Sequence, residues 1–573
     1  MRKLLFWTIF LLSAHLFASP GDTLIVQTFT FDSIATRRGV FAFPENTEDY
    51  AKIIMVYTLK CDPRTPHDKF DCGEWDYCTY TRIYSPNLLK PTDTTYKEPF
   101  IELARFITPY GIRLDLGPNG FSWIYDVSDY APLLRGKVDL SAGNGQELLD
   151  LKFLFIKGTP PRRVLSVKDL WFYSSDIYKD LADNKVKSAL LVSPSNEAST
   201  YRLKTRISGH GHFGPENCCE WVAKNHYWII NNDTIDKWKI WRDCGMNPVY
   251  PQGGTWQFDR AGWCPGTFVA THDLELTPFL ENKKPFLLDY AIQPYDTDNG
   301  ESGGNYEIAI QLVEYGEPSF KRDAAVSDII APSIKDEYKR DNPISLNPII
   351  EIENLGSDTL KTATIYYGLV NGSVSEYHWE GSLPFMGKCR VSLPIPDWGV
   401  LSPDPARPEA SLKKGNKFFA EIKHPNQRKD KNRINNRLES IVSSPAILPQ
   451  SFIMEVKTNS FGRAADNSAS VFDENKNIVF SYPQFADDST YRIQINLKPG
   501  AYRFLFSDKN EDGLIKHWWL RNEDPNKVGN NGSLKLLNLD GSLLFDFGYD
   551  WAQEASLEFF IPDPNIPNLQ DQE

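Results

Sequence analysis

Along most of this chain, apolar and polar residues alternate in short runs instead of recurring every third or fourth position. From residue 24 to 158 the runs are "TLIVQTFTF", "AKIIMVYTLK", "KEPFIELARFIT", "FSWIYDV" and "LDLKFLFIKG". Period-two alternation turns one face of a segment to a core and the other to water, which predicts β-strands. Gly158, Pro160 and Pro161 in "KGTPPRR" end this first set. A second set runs from "VLSVKDLWFY" to "NYEIAIQLVEYG" around a loop-rich centre, 209–265. Beyond "GEPSFKRDAAVSDIIAPS", the stretch "NPIIEIENLGSDTLKTATIYYGLVNGS" reads as strand, Asn-Leu-Gly turn and strand, the texture of an Ig-like module. A last segment holds "TYRIQINLKPGAYRFLFSD", a hairpin turning at Pro-Gly. The pattern predicts an all-β protein in four units: 24–158, 162–318, an Ig-like β-sandwich over 325–445, and a β-rich unit over 450–573.

The N-terminus departs from this pattern. "MRKLLFWTIFLLSAHLFASPGD" has two basic residues, an apolar run and Ala18 where a signal peptidase could cut. Pro20-Gly21 stops the run short of the roughly twenty residues that a membrane span needs. A signal peptide over 1–18 is expected, with no transmembrane anchor. The mature protein is then secreted or periplasmic, where disulfides persist. A net charge of −13 excludes the basic footprint of a nucleic-acid binder.

Cysteine usage adds covalent constraints. Eight cysteines stand at 61, 72, 78, 218, 219, 244, 264 and 389. No pair has the two-residue spacing of a zinc knuckle, so disulfides are expected. Cys61–Cys72 and Cys244–Cys264 would each close a loop. Adjacent cysteines present the wrong Cβ geometry to bond each other. Cys78 is a candidate partner for Cys218 or Cys219, which would tie the first unit to the second; the partners of Cys218 and Cys219 stay open at this point, and Cys389 is expected to be free.

Acids and tryptophans share the cysteine-framed segments. "DCGEWDYC" contains Glu74, Trp75 and Asp76; "NCCEW" contains Glu220 and Trp221; "DRAGWCPG" sets Arg260 three residues before Trp263. Indole faces beside carboxylates hold sugars, with the ring against C–H faces and the acids on hydroxyls. A carboxylate partly covered by indole also loses hydration, which raises its pKa toward acid–base use. The same residues suit a non-catalytic carbohydrate-binding protein, or strand aromatics that only pack a sandwich. On a strand, Glu74 and Asp76 would share a face. His210 and His212 in "ISGHGHFGPENCCEW" would do the same, and hydrogen bonds to substrate are favoured over a metal because no third ligand is near. In "SDKNEDGLIKHWW", Asp508, Asn510, Asp512 and Gly513 resemble the opening of a calcium loop, but position twelve is Trp519 where glutamate is required. That segment reads as a surface turn.

The cysteine-framed motifs resemble the bacterial peptide-N-glycosidase F family, secreted amidases that cut N-glycans from asparagine. "CGEWDYC", "ARFITPY", "ISGHGHFGPENCCEW", "WIINN" and "DRAGWCPG" carry the resemblance in family order, over roughly residues 25–318. It implies two adjacent eight-stranded jelly-roll sandwiches with the cleft at their interface. It also implies hydrolysis of the β-aspartylglucosamine amide of N-glycopeptides and N-glycoproteins, with no cofactor and no metal; a monomer is expected. Asp76, Glu220 and Arg260 match the family's catalytic residues. Trp75, Trp221 and Trp263 match the surrounding aromatics, and Glu74, His210 and His212 complete the expected substrate-binding set. Cys61–Cys72 and Cys244–Cys264 match family disulfides. Two departures stand out. A third cleft glutamate aligns with Gly143 in "KVDLSAGNGQELLD", flanked by Asp139 and Glu147. The family partner of Cys218 is Val222 here, which makes Cys219 and Cys78 the expected replacement staple. An endo-glycosidase using Asp76 and Glu220 as paired carboxylates is the rival activity.

Overall fold

The computed structural model describes residues 21–563 except 33–36, 63, 65–69, 71, 85–98, 144, 214–217, 282, 296–303 and 399–416, so the expected signal peptide lies outside the described residues. The protein is nearly all β. No helix among the described residues is long and apolar enough to cross a membrane.

The alternating segments of the first unit become two facing sheets. One orders Thr23–Phe29, Leu148–Lys157, Tyr50–Lys60 and Phe121–Asp126; the other orders Phe100–Ile107, Cys78–Tyr84, Lys137–Ser141 and Arg38–Ala42. In chain order these are first-eighth-third-sixth against fifth-fourth-seventh-second, the jelly-roll arrangement of two Greek keys. The second unit repeats it. Arg162–Ile177, Asn305–Pro318, Thr200–His210 and Thr271–Glu275 form one sheet; Leu190–Val192, Phe286–Ile292, Lys224–Ile230 and Asp233–Ile240 form the other. A two-stranded hairpin, His212–Phe213 with Cys218–Cys219, stands apart from both.

The third unit packs a three-stranded sheet (Ala324–Ala331, Ile349–Asn354, Lys388–Ser392) on a four-stranded one, as in Ig-like sandwiches. The fourth unit faces a five-stranded sheet containing Gly500–Asp508 with a four-stranded one containing Ser451–Lys457. Each unit has its own apolar core, and burying each large aliphatic or aromatic side chain contributes about 1.5–3 kcal/mol.

The seam between the two jelly rolls is part of the fold. Thr267–Phe268 leaves the second unit and pairs with Phe100–Ile107 of the first. The Phe100–Ile107 strand is buried at every position because a sandwich lies on each side. A register shift opposite Thr81/Arg82 offsets its alternation. Glu102 and Arg105, three apart, therefore face the seam together, 3.0 Å from each other. Glu102 also meets Arg206 at 2.9 Å, and the Arg105 guanidinium donates to the Glu307 carbonyl at 2.8 Å. These charges are nearly inaccessible to water, so their mutual pairing is what makes burial tolerable.

Candidate active site

Asp76 sits on a loop, not a strand. Cys61–Cys72 closes the loop from behind, and the strand Cys78–Tyr84 begins two residues after Asp76. Residues 73–77 adopt no β pairing, so the expectation that Glu74 and Asp76 share a strand face is corrected. A clamp of side chains replaces the ladder. The Gln146 Oε1 accepts the N–H groups of Glu74 and Trp75 at 2.7 and 3.0 Å, while its amide donates to the Trp75 carbonyl at 2.8 Å. Thr108 accepts the Tyr77 N–H at 2.8 Å and donates to the Trp75 carbonyl at 2.9 Å. The clamp leaves Trp75, 57% exposed, and Tyr77, 48% exposed, standing in solvent beside a half-buried Asp76.

The second jelly roll supplies the facing wall. Three segments converge on Gly209, where a Cβ would lie 2.2 Å from the Cys219 carbonyl oxygen and 2.8 Å from the Ala261 Cβ. Only glycine allows that approach. It brings Glu220, just past the hairpin, next to Arg260: Nε donates to Glu220 Oε1 at 3.0 Å. Arg260 is buried, and its remaining donors are directed. Nη1 bonds the Phe258 carbonyl at 2.7 Å, and Nη2 bonds the Thr255 carbonyl and hydroxyl at 2.9 and 3.1 Å. The guanidinium carbon lies 4.4 Å from the Trp221 ring centre and 4.9 Å from that of Trp263, so both indoles cover the cation.

Two loops bring these walls together. A Cβ on Gly111 would lie 2.3 Å from the Gly253 Cα, so the glycines meet backbone to backbone. The Gly253 N–H donates to the Tyr110 carbonyl at 2.8 Å, and Gln252 Oε1 accepts the Tyr110 N–H at 3.2 Å. Asp76 then titrates in the field of groups from the other sandwich. Burial pushes its pKa up to about 6; Arg260 opposes that rise and Glu220 reinforces it.

The histidines take separate places. The strand Thr200–His210 ends at His210, and pairing resumes in the hairpin at His212, so the shared face expected for the two is not formed. His210 stacks on Trp263 at 5.5 Å and bonds the Ser208 hydroxyl at 2.8 Å. Burial pulls its pKa down to about 4, which leaves it neutral near pH 7. His212 is exposed. Trp263 is 3% exposed and donates to the Gly209 carbonyl at 2.8 Å, so its ring supports the site from within.

A family model described as "Peptide-N-glycosidase F, C terminal" matches residues 177–313, which include Glu220 and Arg260. The peptide-N(4)-(N-acetyl-beta-D-glucosaminyl)asparagine amidase F of Elizabethkingia miricola is 30% identical over 311 residues, covering 50% of this chain and 82% of that protein. The chain belongs to the peptide-N-glycosidase F family. Among solved structures, a peptide-N(4)-(N-acetyl-beta-D-glucosaminyl)asparagine amidase is 25% identical with a TM-score of 0.43, covering 52% of this chain and 96% of that one. A PNGase F from Flavobacterium meningosepticum is 26% identical with a TM-score of 0.41 over the same shares.

Against the peptide-N-glycosidase F pattern, the cysteines need correction. Cys61–Cys72 and Cys244–Cys264 are bonded, but Cys218 bonds its neighbour Cys219, and Cys78 is a free thiol. The expectation against an adjacent pair assumed a trans peptide; here the Cys218–Cys219 peptide is cis and the Cα atoms are 3.0 Å apart. Cys78 instead points into the seam, where its thiol lies 3.3 Å from Glu307 Oε2. Burial pushes that thiol's pKa well up, so it stays protonated. The third family carboxylate has no like-for-like substitute at Gly143. Asp139 pairs with Arg38 at 2.7 Å on the outer strand. Glu147 is buried behind the loop, bonded at Oε1 by the Gln146 amide at 3.4 Å. Gln146, Thr108, Tyr110 and the Gly111–Gly253 contact were given no role in the sequence, although Thr108 and Tyr110 lie in "ARFITPY" and Gln146 in "KVDLSAGNGQELLD".

Proposed function

We propose that this protein hydrolyses the β-aspartylglucosamine amide of N-glycopeptides and N-glycoproteins. Water adds to the side-chain carbonyl and the C–N bond breaks. The asparagine becomes aspartate, and the glycan leaves as a glycosylamine that loses ammonia. The observation that carries this reading is the meeting of Asp76 from one jelly roll with the Glu220–Arg260 pair from the other.

Asp76, with a pKa near 6, is ionised at neutral pH yet weakly hydrated, which suits a group that takes a proton from water and returns it to the leaving nitrogen. Glu220 is fixed through Oε1 by Arg260, and its other oxygen orients the attacking water. Of the five guanidinium N–H groups, the bonds to Glu220, Phe258 and Thr255 use four. The remaining Nη1 hydrogen and the fixed charge stabilise the developing oxyanion. Trp75 and Tyr77 offer open aromatic faces for the first sugars. Glu74, whose backbone is clamped by Gln146, is assigned to the same substrate-binding set.

Mass spectrometry of a glycopeptide after incubation tests the reading. Aspartate at the former glycosylation site, with release of the whole glycan, is the expected product. N-acetylglucosamine left on the peptide would mark an endo-glycosidase, and an unchanged glycopeptide that remains bound would mark a carbohydrate-binding protein.

A further inference from the structure

The strand Gly500–Asp508 runs into "DKNEDG", read from the sequence as a surface turn. Its acids are not on the surface: Asp508 is 2% exposed and Asp512 4%. The loop curls around Asp508, whose Oδ1 accepts the N–H groups of Asn510 at 2.9 Å and Asp512 at 3.3 Å. Oδ2 of Asp508 has no hydrogen-bond partner. Asp512 repeats this imbalance. Its Oδ2 is met by His517 Nε2 at 2.8 Å, and its buried Oδ1 is unpartnered. Asn467 lies directly opposite Asp508 in the antiparallel ladder, so their side chains project from the same face. Asn467 is 1% exposed, its amide donates to the Arg463 carbonyl at 3.1 Å, and its Oδ1 is likewise unpartnered. Three orphaned oxygens, two of them on acids, therefore gather at one end of these strands.

Among the described residues, no lysine or arginine hydrogen-bonds either carboxylate. Arg463 is the guanidinium near Asp512, but it gives Nη1 to the Ile515 carbonyl at 3.2 Å and Nη2 to the Lys527 carbonyl at 3.4 Å. Glu511 of the same loop adds negative field, with its carboxylate oxygen within 4.8 Å of those of Asp243 and Asp259. We propose that the 508–512 loop, with Asn467 opposite it, is a calcium site. The three unpartnered atoms are carboxylate and amide oxygens, which suit a hard cation that accepts six to eight oxygens in flexible geometry. Asn467, from across the ladder, takes the place of the twelfth-position glutamate that Trp519 displaces.

The site lies behind the active-site loops. The Leu514 N–H bonds the Tyr549 carbonyl and the Asp508 N–H bonds the Gln553 carbonyl, both at 2.8 Å, which ties the loop to segment 549–553. That segment carries Asp550, which bonds Arg113 at 2.6 Å and the Trp256 indole at 3.2 Å.

The test uses the full chain, stripped with a calcium chelator and titrated with calcium chloride in a calorimeter. One equivalent of heat-releasing or heat-absorbing binding is expected. At a hundredfold excess over Kd, the unfolding transition of the C-terminal unit should rise by roughly 5–10 °C. Magnesium at the same concentration should give neither effect. Asp508→Asn and Asp512→Asn should each abolish the heat and the shift. Near-UV circular dichroism of the stripped wild-type chain gives the result without depending on a variant's folding: calcium should change its aromatic signal. No heat and no shift in the stripped wild type, with Asp508→Asn raising the melting temperature, would replace the proposal with two acids sharing a proton. A shift of equal size in both variants would place the ion elsewhere, and an equal response to magnesium would overturn the calcium assignment.

Discussion

Two seams meet near the loops that carry Asp76, Glu220 and Arg260, and they are built differently. Between the jelly rolls, a strand crosses from one unit to the other, two glycines touch, and Glu102, Arg105 and Arg206 pair in a buried network. Between the jelly rolls and the fourth unit, side-chain bonds make the contact. Asp550 reaches Arg113 and Trp256, while Arg340 of the third unit bridges the two by donating to the carbonyls of Asn247, Glu554 and Trp551. Asp76 lies on one side of the first seam, in the field of the Glu220–Arg260 pair on the other, so that seam composes the proposed site. The second holds the loops after Phe100–Ile107 and around 250–258 from behind, so it steadies a site already formed.

Breaking the reacting group should have the largest effect. Asp76→Asn is expected to lower glycan release by about 10²–10⁴-fold, the usual worth of a positioned acid–base group. Its linkage sign is distinctive. A carboxyl whose folded pKa is raised favours the folded state when protonated, and that contribution is lost as pH climbs through about 6. Asp76→Asn should therefore leave stability at pH 8 equal or higher in urea unfolding, and a marked loss would make Asp76 structural. In the parent protein, the rate of glycan release should rise by about tenfold between pH 5 and 7 as Asp76 ionises.

The next largest effect belongs to the first seam. Glu102→Ala leaves Arg105 and Arg206 buried without their carboxylate, which costs about 3–5 kcal/mol in urea unfolding. A cost under about 1 kcal/mol would mean that the charges do not set the docking.

At the second seam, Asp550→Asn weakens the charge-assisted bond to Arg113, with an expected loss of about 1–3 kcal/mol and a change of only a few-fold in glycan release. Loss of activity as complete as that of Asp76→Asn would erase the distinction between composing and steadying.

Cys78→Ser should do least, shifting stability by under about 1 kcal/mol, because no covalent link is lost. Thiol titration of the unreduced, denatured chain should find Cys78 and Cys389 in the parent and Cys389 alone in the variant.

The strands were legible because alternation is local: the run at 148–157 carries its inward and outward faces in its own residues. The same locality made the loop closures of Cys61–Cys72 and Cys244–Cys264 readable, at separations of 11 and 20 residues. Where a prediction failed, the deciding partner was distant. Glu74 and Asp76 look like strand residues until Gln146, some 70 positions on, takes the backbone N–H groups of Glu74 and Trp75. Cys78 looks like a staple until Glu307, 229 positions away, is found beside its thiol. Asp508 and Asp512 look like a wet turn until the fourth unit's packing buries them.

The sequence by itself determined an all-β chain, its two long-loop disulfides, and acids, indoles and an arginine concentrated on cysteine-framed segments. Tertiary structure decided which of those groups meet. It set Asp76 in the field of a pair from the other jelly roll and turned most of the Arg260 donors inward. It also buried Trp263 while leaving Trp75 open. The physical reason is range. Alternation and loop closure are settled within a few residues, whereas burial and Coulomb interaction depend on every segment that packs nearby, wherever it lies along the chain.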